Sequence, residues 1–298
     1  MSRNPVTAEE ASRKVRDLEI RSRRLSTHRV MGEYHTAFRG RGMRYKEVRE
    51  YQAGDDVRFI DWNVSARLGH PFTKIFEEES ELVVMLLVDL SASTAMGSRS
   101  ARKDDLLAEA MALLAFAAVR NGDRVGAVFF TDRIEAHIPP AKGREHALRL
   151  VRRLLTLRPE GKGTDIAAAL RYFRNASRRK GVAFVASDFL APGYEQELRI
   201  AAARHDVVGI RVHEPFDSHL PDMGLVRVHD PETGEYRTVD SSDGFLRHLY
   251  EEHHRREAGS CREAFRRAGA ESIELRTDED PAAVLHRFFM HRLKARLR

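Results

Sequence analysis

Length, composition and charge already narrow the class of protein. The chain has 298 residues, of which 42% are hydrophobic and 32% charged, enough for one large or two modest domains with a substantial core. Its longest uninterrupted apolar runs, residues 82–88 and 110–119, fall far short of the ~18 residues that span a bilayer. The N-terminus lacks the apolar core of a signal peptide. The single cysteine excludes an internal disulfide and a thiolate metal cluster, so we expect a soluble, cytoplasmic protein.

The net charge of +6 is carried by the first 50 residues, which hold 13 Lys or Arg and 7 Asp or Glu. Residues 7–27 have the pattern of a helix, and this basic N-terminal arm (residues 1–30) could meet nucleic acid, anionic lipid or an acidic protein face. Acidic residues are interleaved with the arginines, which favours a solvated helix face. No helix-turn-helix, zinc-finger or RNA-recognition pattern accompanies the charge.

From residue 82 onward, apolar runs of strand length alternate with amphipathic stretches of helix length. Strands are predicted at 82–90, 124–131, 134–139, 181–188, 206–213 and 272–276, and helices at 103–121, 144–157, 165–178, 194–205, 244–268 and 280–296. Continuous apolar strands joined by helices indicate crossover connections and a mostly parallel sheet covered on both faces. The predicted fold class is therefore a doubly wound α/β domain over residues 82–298.

Two stretches interrupt this alternation. Residues 215–243 are predicted to hold a β-hairpin around a Pro/Gly turn, inserted before a long helix. Residues 31–81 have little apolar content, so we expect them to pack onto the α/β body as a small β-rich auxiliary segment. In that segment Trp62, beside Ile60, is expected to be a core residue, with a role as partner anchor as the alternative.

Polar residues that could bind a metal follow the predicted strands. Asp89-Leu-Ser91-Ala-Ser93 ends the first apolar strand, Asp188 ends a later one, and Thr164 and Asp165 follow a Gly-Lys-Gly loop at a helix start. Ligands of open parallel sheets bind at the carboxyl ends of strands. If these edges lie side by side, five oxygen ligands form a ring suited to Mg²⁺ or Mn²⁺, with Ca²⁺ also possible: Asp89, Ser91, Ser93, Thr164 and Asp188. Asp165 is interpreted as a helix N-terminal carboxylate instead.

This arrangement resembles the metal-ion-dependent adhesion site of von Willebrand factor A domains, and more closely the branch known as domain-of-unknown-function-58 (DUF58) proteins. The motifs similar to that branch are Gly40-Arg-Gly42, Arg49-Glu-Tyr51, Gly54-Asp-Asp-Val-Arg58, Ile60-Asp-Trp62, Ala66-Arg67, residues 76–81, Asp123-Arg-Val-Gly126, Leu220-Pro-Asp222 and residues 230–235. The resemblance covers roughly residues 38–240.

The resemblance implies a set of roles. In von Willebrand A domains the two serines and the threonine bind the ion directly or through water, and the aspartates act largely through water. A partner's carboxylate can complete the octahedron. For this chain it implies a non-enzymatic, metal-dependent protein-binding adaptor that works with a MoxR-type AAA+ ATPase in protein assembly or maturation. Many members of the branch carry membrane spans, and this chain is expected to be a variant without them.

Two other functions remain open from the sequence. A Mg²⁺-dependent phosphohydrolase could act through Asp89, but that chemistry needs a second acid two residues on, where Ser91 stands. A nucleic-acid binder would use the basic N-terminal arm, with an affinity that falls steeply with salt.

Overall fold

The computed structural model describes residues 8–26, 43–78, 81–94, 97–98, 101–229 and 235–296. Its helices are α1 (Ala8–Ser26), α2 (Trp62–Leu68), α3 (Lys103–Arg120), α4 (Arg144–Thr156), α5 (Ile166–Ala176), α6 (Glu195–Arg204), α7 (Pro215–Ser218), α8 (Gly244–Arg267) and α9 (Pro281–Arg296). Its strands are β1 (Met43–Glu50), β2 (Phe72–Glu78), β3 (Val83–Asp89), β4 (Gly97–Ser98), β5 (Ala101–Arg102), β6 (Arg124–Phe130), β7 (Ile134–Ala141), β8 (Val182–Ser187), β9 (Asp206–His213), β10 (Leu225–His229), β11 (Tyr236–Asp240) and β12 (Glu271–Arg276).

A six-stranded sheet in the order β12-β9-β8-β3-β6-β7 forms the centre of the larger unit. The first five strands of this order pair in parallel, and β7 is added antiparallel to β6 at one edge. Each predicted strand of this sheet is present, and β7 pairs with β6 as expected. The doubly wound α/β fold predicted from the alternation of strands and helices is therefore confirmed.

Helices cover both faces of the sheet, which explains why its central strands are apolar throughout. One face carries a buried core shared by α5, α6 and α8, in which Met85 and Leu87 of β3 meet Phe173 and Phe265. On the other face lies α3, which is buried along most of its length because α1, α4 and α9 also pack on it. A helix enclosed in this way is apolar all round, as residues 110–118 are.

The predicted N-terminal helix is present as α1, and it packs on α3 and α4. Lys14 lies 2.7 Å from Asp105 of α3. Glu19, which is buried, accepts two hydrogen bonds from Arg144 of α4, at 2.6 and 2.7 Å. Part of the charge of the helix is therefore neutralised by contacts within the protein.

The predicted insertion forms the antiparallel hairpin of β10 and β11, with Leu225 opposite Asp240 and His229 opposite Tyr236. Its predicted Pro/Gly turn, residues 230–234, lies outside the described residues.

Residues 39–82 form a second, smaller compact unit. Its β1 and β2 make an antiparallel pair of their own, and Asp61 caps the start of α2, where its carboxylate accepts hydrogen bonds from the amides of Asn63 and Val64. Trp62 is 70% exposed, so the expectation that it is a core residue is wrong. As the first residue of a short capped helix, its indole faces solvent. The motif Gly40-Arg-Gly42 lies outside the described residues.

Candidate metal site at the carboxyl edge of the sheet

Asp89 is the last residue of β3, and its side chain is completely buried. Both carboxylate oxygens accept hydrogen bonds. The Ser91 amide donates to Oδ1 at 2.9 Å, and the Ser187 hydroxyl at the end of β8 donates to Oδ2 at 2.6 Å. Because β3 and β8 are neighbours in the sheet, the second bond joins the carboxyl ends of two parallel strands.

Asp188 follows directly after β8 and is 3% exposed. Its Oδ1 accepts a hydrogen bond from the Leu190 amide at 3.2 Å, whereas its buried Oδ2 has no hydrogen-bond partner among the described residues. The next residue, Phe189, has a φ of 56°, a left-handed conformation unusual for a side chain of this size. Its ring is held edge-on against Phe265 of α8, with centroids 5.3 Å apart. Core packing therefore fixes the turn that carries Asp188.

Two buried carboxyl groups on adjacent strands create an electrostatic penalty. Burial raises the pKa of Asp89, and the Asp188 carboxylate raises it further, to about 7, against the smaller opposing effect of the bonds from Ser187 and Ser91. An opposite charge close to both groups would favour their ionised forms. The edge of the sheet is therefore suited electrostatically to a cation.

The turn after β3 presents the two serine hydroxyls. Ser91 is completely buried, Ser93 is partly exposed, and their Oγ atoms lie 3.1 Å apart. The hydroxyl of Thr94, also buried, donates to the Ser91 carbonyl at 2.9 Å and closes the turn. The two serine side chains therefore lie on the same side of the turn, as their spacing in the sequence predicts.

Thr164 lies at the end of a loop, residues 160–164, that leads into α5. The amide of Ala92 donates to the carbonyl of Lys162 at 3.0 Å, which brings this loop against the Ser91–Ser93 turn. The Thr164 Oγ1 atom is buried and has no hydrogen-bond partner within the described part of the chain. Asp165, predicted as a carboxylate at the N-terminus of the helix, lies there as its N-cap and accepts a hydrogen bond from the Ala168 amide at 2.7 Å.

These residues fit a hard divalent cation. The five predicted ligands offer hydroxyl and carboxylate oxygens, the donor types that Mg²⁺ and Ca²⁺ prefer. The Oγ1 of Thr164 and the Oδ2 of Asp188 are buried polar atoms whose bonding capacity is unused among the described residues. Among the described residues of the whole chain, no group of three or more His, Cys, Asp or Glu side chains could hold a metal ion. A metal bound at this edge would therefore need the hydroxyl groups as ligands.

Three residues of the site escaped sequence reasoning: Ser187, Thr94 and Glu135. Ser187 directly precedes Asp188, so its position at a strand end was a usable signal. Thr94 lies one residue beyond the Asp-x-Ser-x-Ser pattern. Glu135 on β7 accepts hydrogen bonds from the amides of Glu160 and Gly161, and no sequence motif connects that strand with that loop.

Comparison with known proteins gives the family. Residues 47–260 match the family described as "Protein of unknown function DUF58". An uncharacterized protein of Mycobacterium tuberculosis is 34% identical over 300 residues, an alignment that covers 100% of this chain and 94% of the relative. The resemblance to this family that the motifs predicted is confirmed.

A solved structure shares the fold. The crystal structure of an aerotolerance-related membrane protein from Bacteroides fragilis aligns with a TM-score of 0.52 at 14% identity, over 72% of this chain and 99% of that one. A von Willebrand factor type A structure from Catenulispora acidiphila aligns with a TM-score of 0.39 at 13% identity, over 75% of this chain and 44% of that one. The fold assignment does not depend on the second.

In the part of the chain that the structure describes, no helix is long and apolar enough to cross a membrane.

The raised pKa of Asp89 predicts how stability depends on pH when no metal is present. The carboxyl group of an aspartate in the unfolded chain has a pKa of about 3.9. Between about pH 4 and 7 the folded state therefore holds a proton on Asp89 that the unfolded state has released. Stability contributed by this group is therefore lost as pH rises through that window. Asp89→Asn, which imitates the protonated form, should raise the Tm in EDTA by several degrees at pH 8 and by roughly a third as much at pH 5.

Differential scanning fluorimetry at several pH values measures this effect, with Asp17→Asn, an exposed residue of α1, as the control. A difference between wild type and Asp89→Asn that is the same at pH 5 and pH 8 would contradict the assignment.

Proposed function

This chain belongs to the DUF58 family, and we propose that it is a non-catalytic protein-binding adaptor that depends on a divalent metal at the carboxyl edge of its sheet. The observation that carries the proposal is the pair of buried carboxyl groups, Asp89 and Asp188, beside hydroxyl groups and an unpartnered carboxylate oxygen. A divalent cation, Mg²⁺ with Mn²⁺ or Ca²⁺ as alternatives, would relieve their repulsion and use the free oxygens.

The residues divide into two roles under this proposal. Ser91, Ser93 and Thr164 would hold the ion directly or through water, and Asp89 and Asp188 would balance its charge largely through water. Bound there, the cation would act as an electrophile for an acidic side chain of a protein partner. The chain's own contribution is to orient these oxygens through the backbone and hydroxyl bonds around Asp89.

The buried position of Asp89 supports binding over phosphoryl transfer. A nucleophilic aspartate must reach its substrate, yet Asp89 is 0% exposed and both of its oxygens already accept hydrogen bonds. The position two residues on, where a general acid would be needed, is Ser91. Nucleic-acid binding by the N-terminal helix is weakened as a candidate because two of its basic residues, Lys14 and Arg21, form ion pairs with α3.

A MoxR-type AAA+ ATPase in the cytoplasm is the proposed partner, and the resemblance to the DUF58 branch supports it. Exposed positions near the site offer room for such a protein, since Leu190 beside Asp188 is 49% exposed and Lys162 is exposed too. The choice of this partner rests on the family resemblance.

Thermal unfolding tests whether a metal binds. With Mg²⁺ at ~100 times its Kd, a ligand of the folded state alone stabilises by about 2.7 kcal/mol, which raises the Tm of the wild type by several degrees over its value in EDTA. Ser91→Ala should abolish the rise. Ser177→Ala, a buried serine after α5, is the matched control and should keep it. An equal rise in wild type and Ser91→Ala would place the metal elsewhere.

Capture of a purified MoxR-type ATPase tests the partner. Immobilised wild type should retain the ATPase in Mg²⁺ and release it in EDTA, because the acidic residue of the partner loses its cation. Asp89→Ala should capture little under either condition, whereas Asp17→Ala, at an exposed position of α1, should behave like wild type. Equal capture by Asp89→Ala in Mg²⁺ and in EDTA would rule out a metal-dependent interface.

A further inference from the structure

Glu135 lies on β7, the antiparallel strand at the edge of the sheet, and its carboxylate accepts hydrogen bonds from a loop much later in the chain as well as from the nearby Thr131. It accepts a hydrogen bond from the Thr131 hydroxyl at 2.7 Å and from the Gly161 amide at 2.8 Å. The Glu160 amide donates to both of its oxygens at 3.1 Å. One side chain therefore holds the beginning of the loop of residues 160–164, and none of the donors is a predicted metal ligand.

The rest of this loop is fixed from other directions. A Cβ atom on Gly161 would overlap the side chain of Thr131, so glycine is what allows the loop to approach β6 closely. At the far end, the Asp165 amide donates to the Thr131 carbonyl at 2.9 Å. On the inner side, the Ala92 amide donates to the Lys162 carbonyl. The loop is thereby clamped between the end of β6 and the turn that carries Ser91 and Ser93.

Thr164 depends on this clamp, because it is the loop residue whose buried hydroxyl has no partner among the described residues. Among the described residues no hydrogen bond holds the Thr164 side chain in place, so the backbone of the loop must fix its position. The Glu135 carboxylate receives three donors, the amides of Glu160 and Gly161 and the Thr131 hydroxyl. Hydrogen bonds to an ionised acceptor exceed neutral ones in strength, so this carboxylate contributes strongly to the backbone arrangement of the loop.

We propose that Glu135 is a positioning residue for the metal site: it fixes the loop of residues 160–164 so that the Thr164 hydroxyl is available to the cation. The inference rests on the proposed metal site. Without the carboxylate, the amides of Glu160 and Gly161 would bond to water and the loop would leave its clamped position. Metal binding would then have to order the loop. Removal of partners that orient metal ligands weakens affinity by roughly 10- to 100-fold.

The test compares Glu135→Ala and Glu135→Gln with Glu160→Ala. The control, Glu160→Ala, removes a carboxylate charge from the loop itself. The Glu160 side chain is exposed, and among the described residues it makes no hydrogen bond to the loop backbone. Glu135→Gln keeps an oxygen that can accept from Gly161 and Thr131, so it should show an intermediate effect and remain informative where Glu135→Ala does not fold.

Two measurements are made on each protein. The first is the rate of tryptic cleavage after the exposed Lys162, followed by mass spectrometry in EDTA, which reports loop position without any metal. The second is the Kd for Mg²⁺, from titration of the thermal shift. We expect faster cleavage and a Kd raised roughly 10- to 100-fold in Glu135→Ala, partial recovery in Glu135→Gln, and wild-type behaviour in Glu160→Ala.

The outcomes separate this inference from the proposed function. Faster cleavage with an unchanged Kd overturns the positioning role and leaves Glu135 as a structural residue of the edge strand. Cleavage and Kd that both match wild type overturn it as well. A wild type that binds no Mg²⁺ overturns the proposed function, and the placement of the loop by Glu135 is then judged by the cleavage rates alone.

Discussion

The burial of two carboxyl groups, Asp89 and Asp188, at the ends of adjacent parallel strands is the constraint on which the rest of the site depends. Burying an ionisable group is unfavourable unless it is neutralised or paired, and here burial and the second carboxylate together raise the pKa of Asp89 to about 7. The hydroxyl of Ser187 and the amide of Ser91 satisfy Asp89, but one oxygen of Asp188 stays without a partner among the described residues. A bound cation would remove this imbalance, and the proposed function follows from it.

The fold holds this unfavourable pair in place through packing at a distance. β3 and β8 are buried on both faces. Neither strand can therefore shift to expose the aspartate at its carboxyl end, which is Asp89 for β3 and Asp188 for β8. The left-handed turn at Phe189 is retained because its ring lies against Phe265 of α8 and near Tyr194. Strained turns of this kind persist where the surrounding structure determines them. The helix after the inserted hairpin therefore contributes to the site, although it supplies none of the predicted ligands.

The strands and their terminal residues could be predicted from the sequence, because a buried parallel strand is a continuous apolar run and a polar residue at its end is conspicuous. Asp89 and Asp188 were found in this way. The order of the strands could not be derived, since it depends on packing between segments far apart in the chain. For the same reason the hydrogen bond from Ser187 to Asp89, which joins residues 98 positions apart, could not be predicted from the sequence. Glu135 and its loop are the second such case, and Trp62 shows that an aromatic residue can be placed outward by a local helix cap.

The most direct measurement of the central claim is the anomalous difference density of crystals grown in Mn²⁺, which locates the ion without reference to stability or partners. The account predicts one peak within coordination distance, about 2.0–2.6 Å, of the hydroxyl oxygens of Ser91, Ser93 or Thr164. That peak should be absent from crystals of Ser91→Ala grown in the same way. A well-ordered site with no peak at this edge in the wild type, or a peak that survives in Ser91→Ala, would contradict the account.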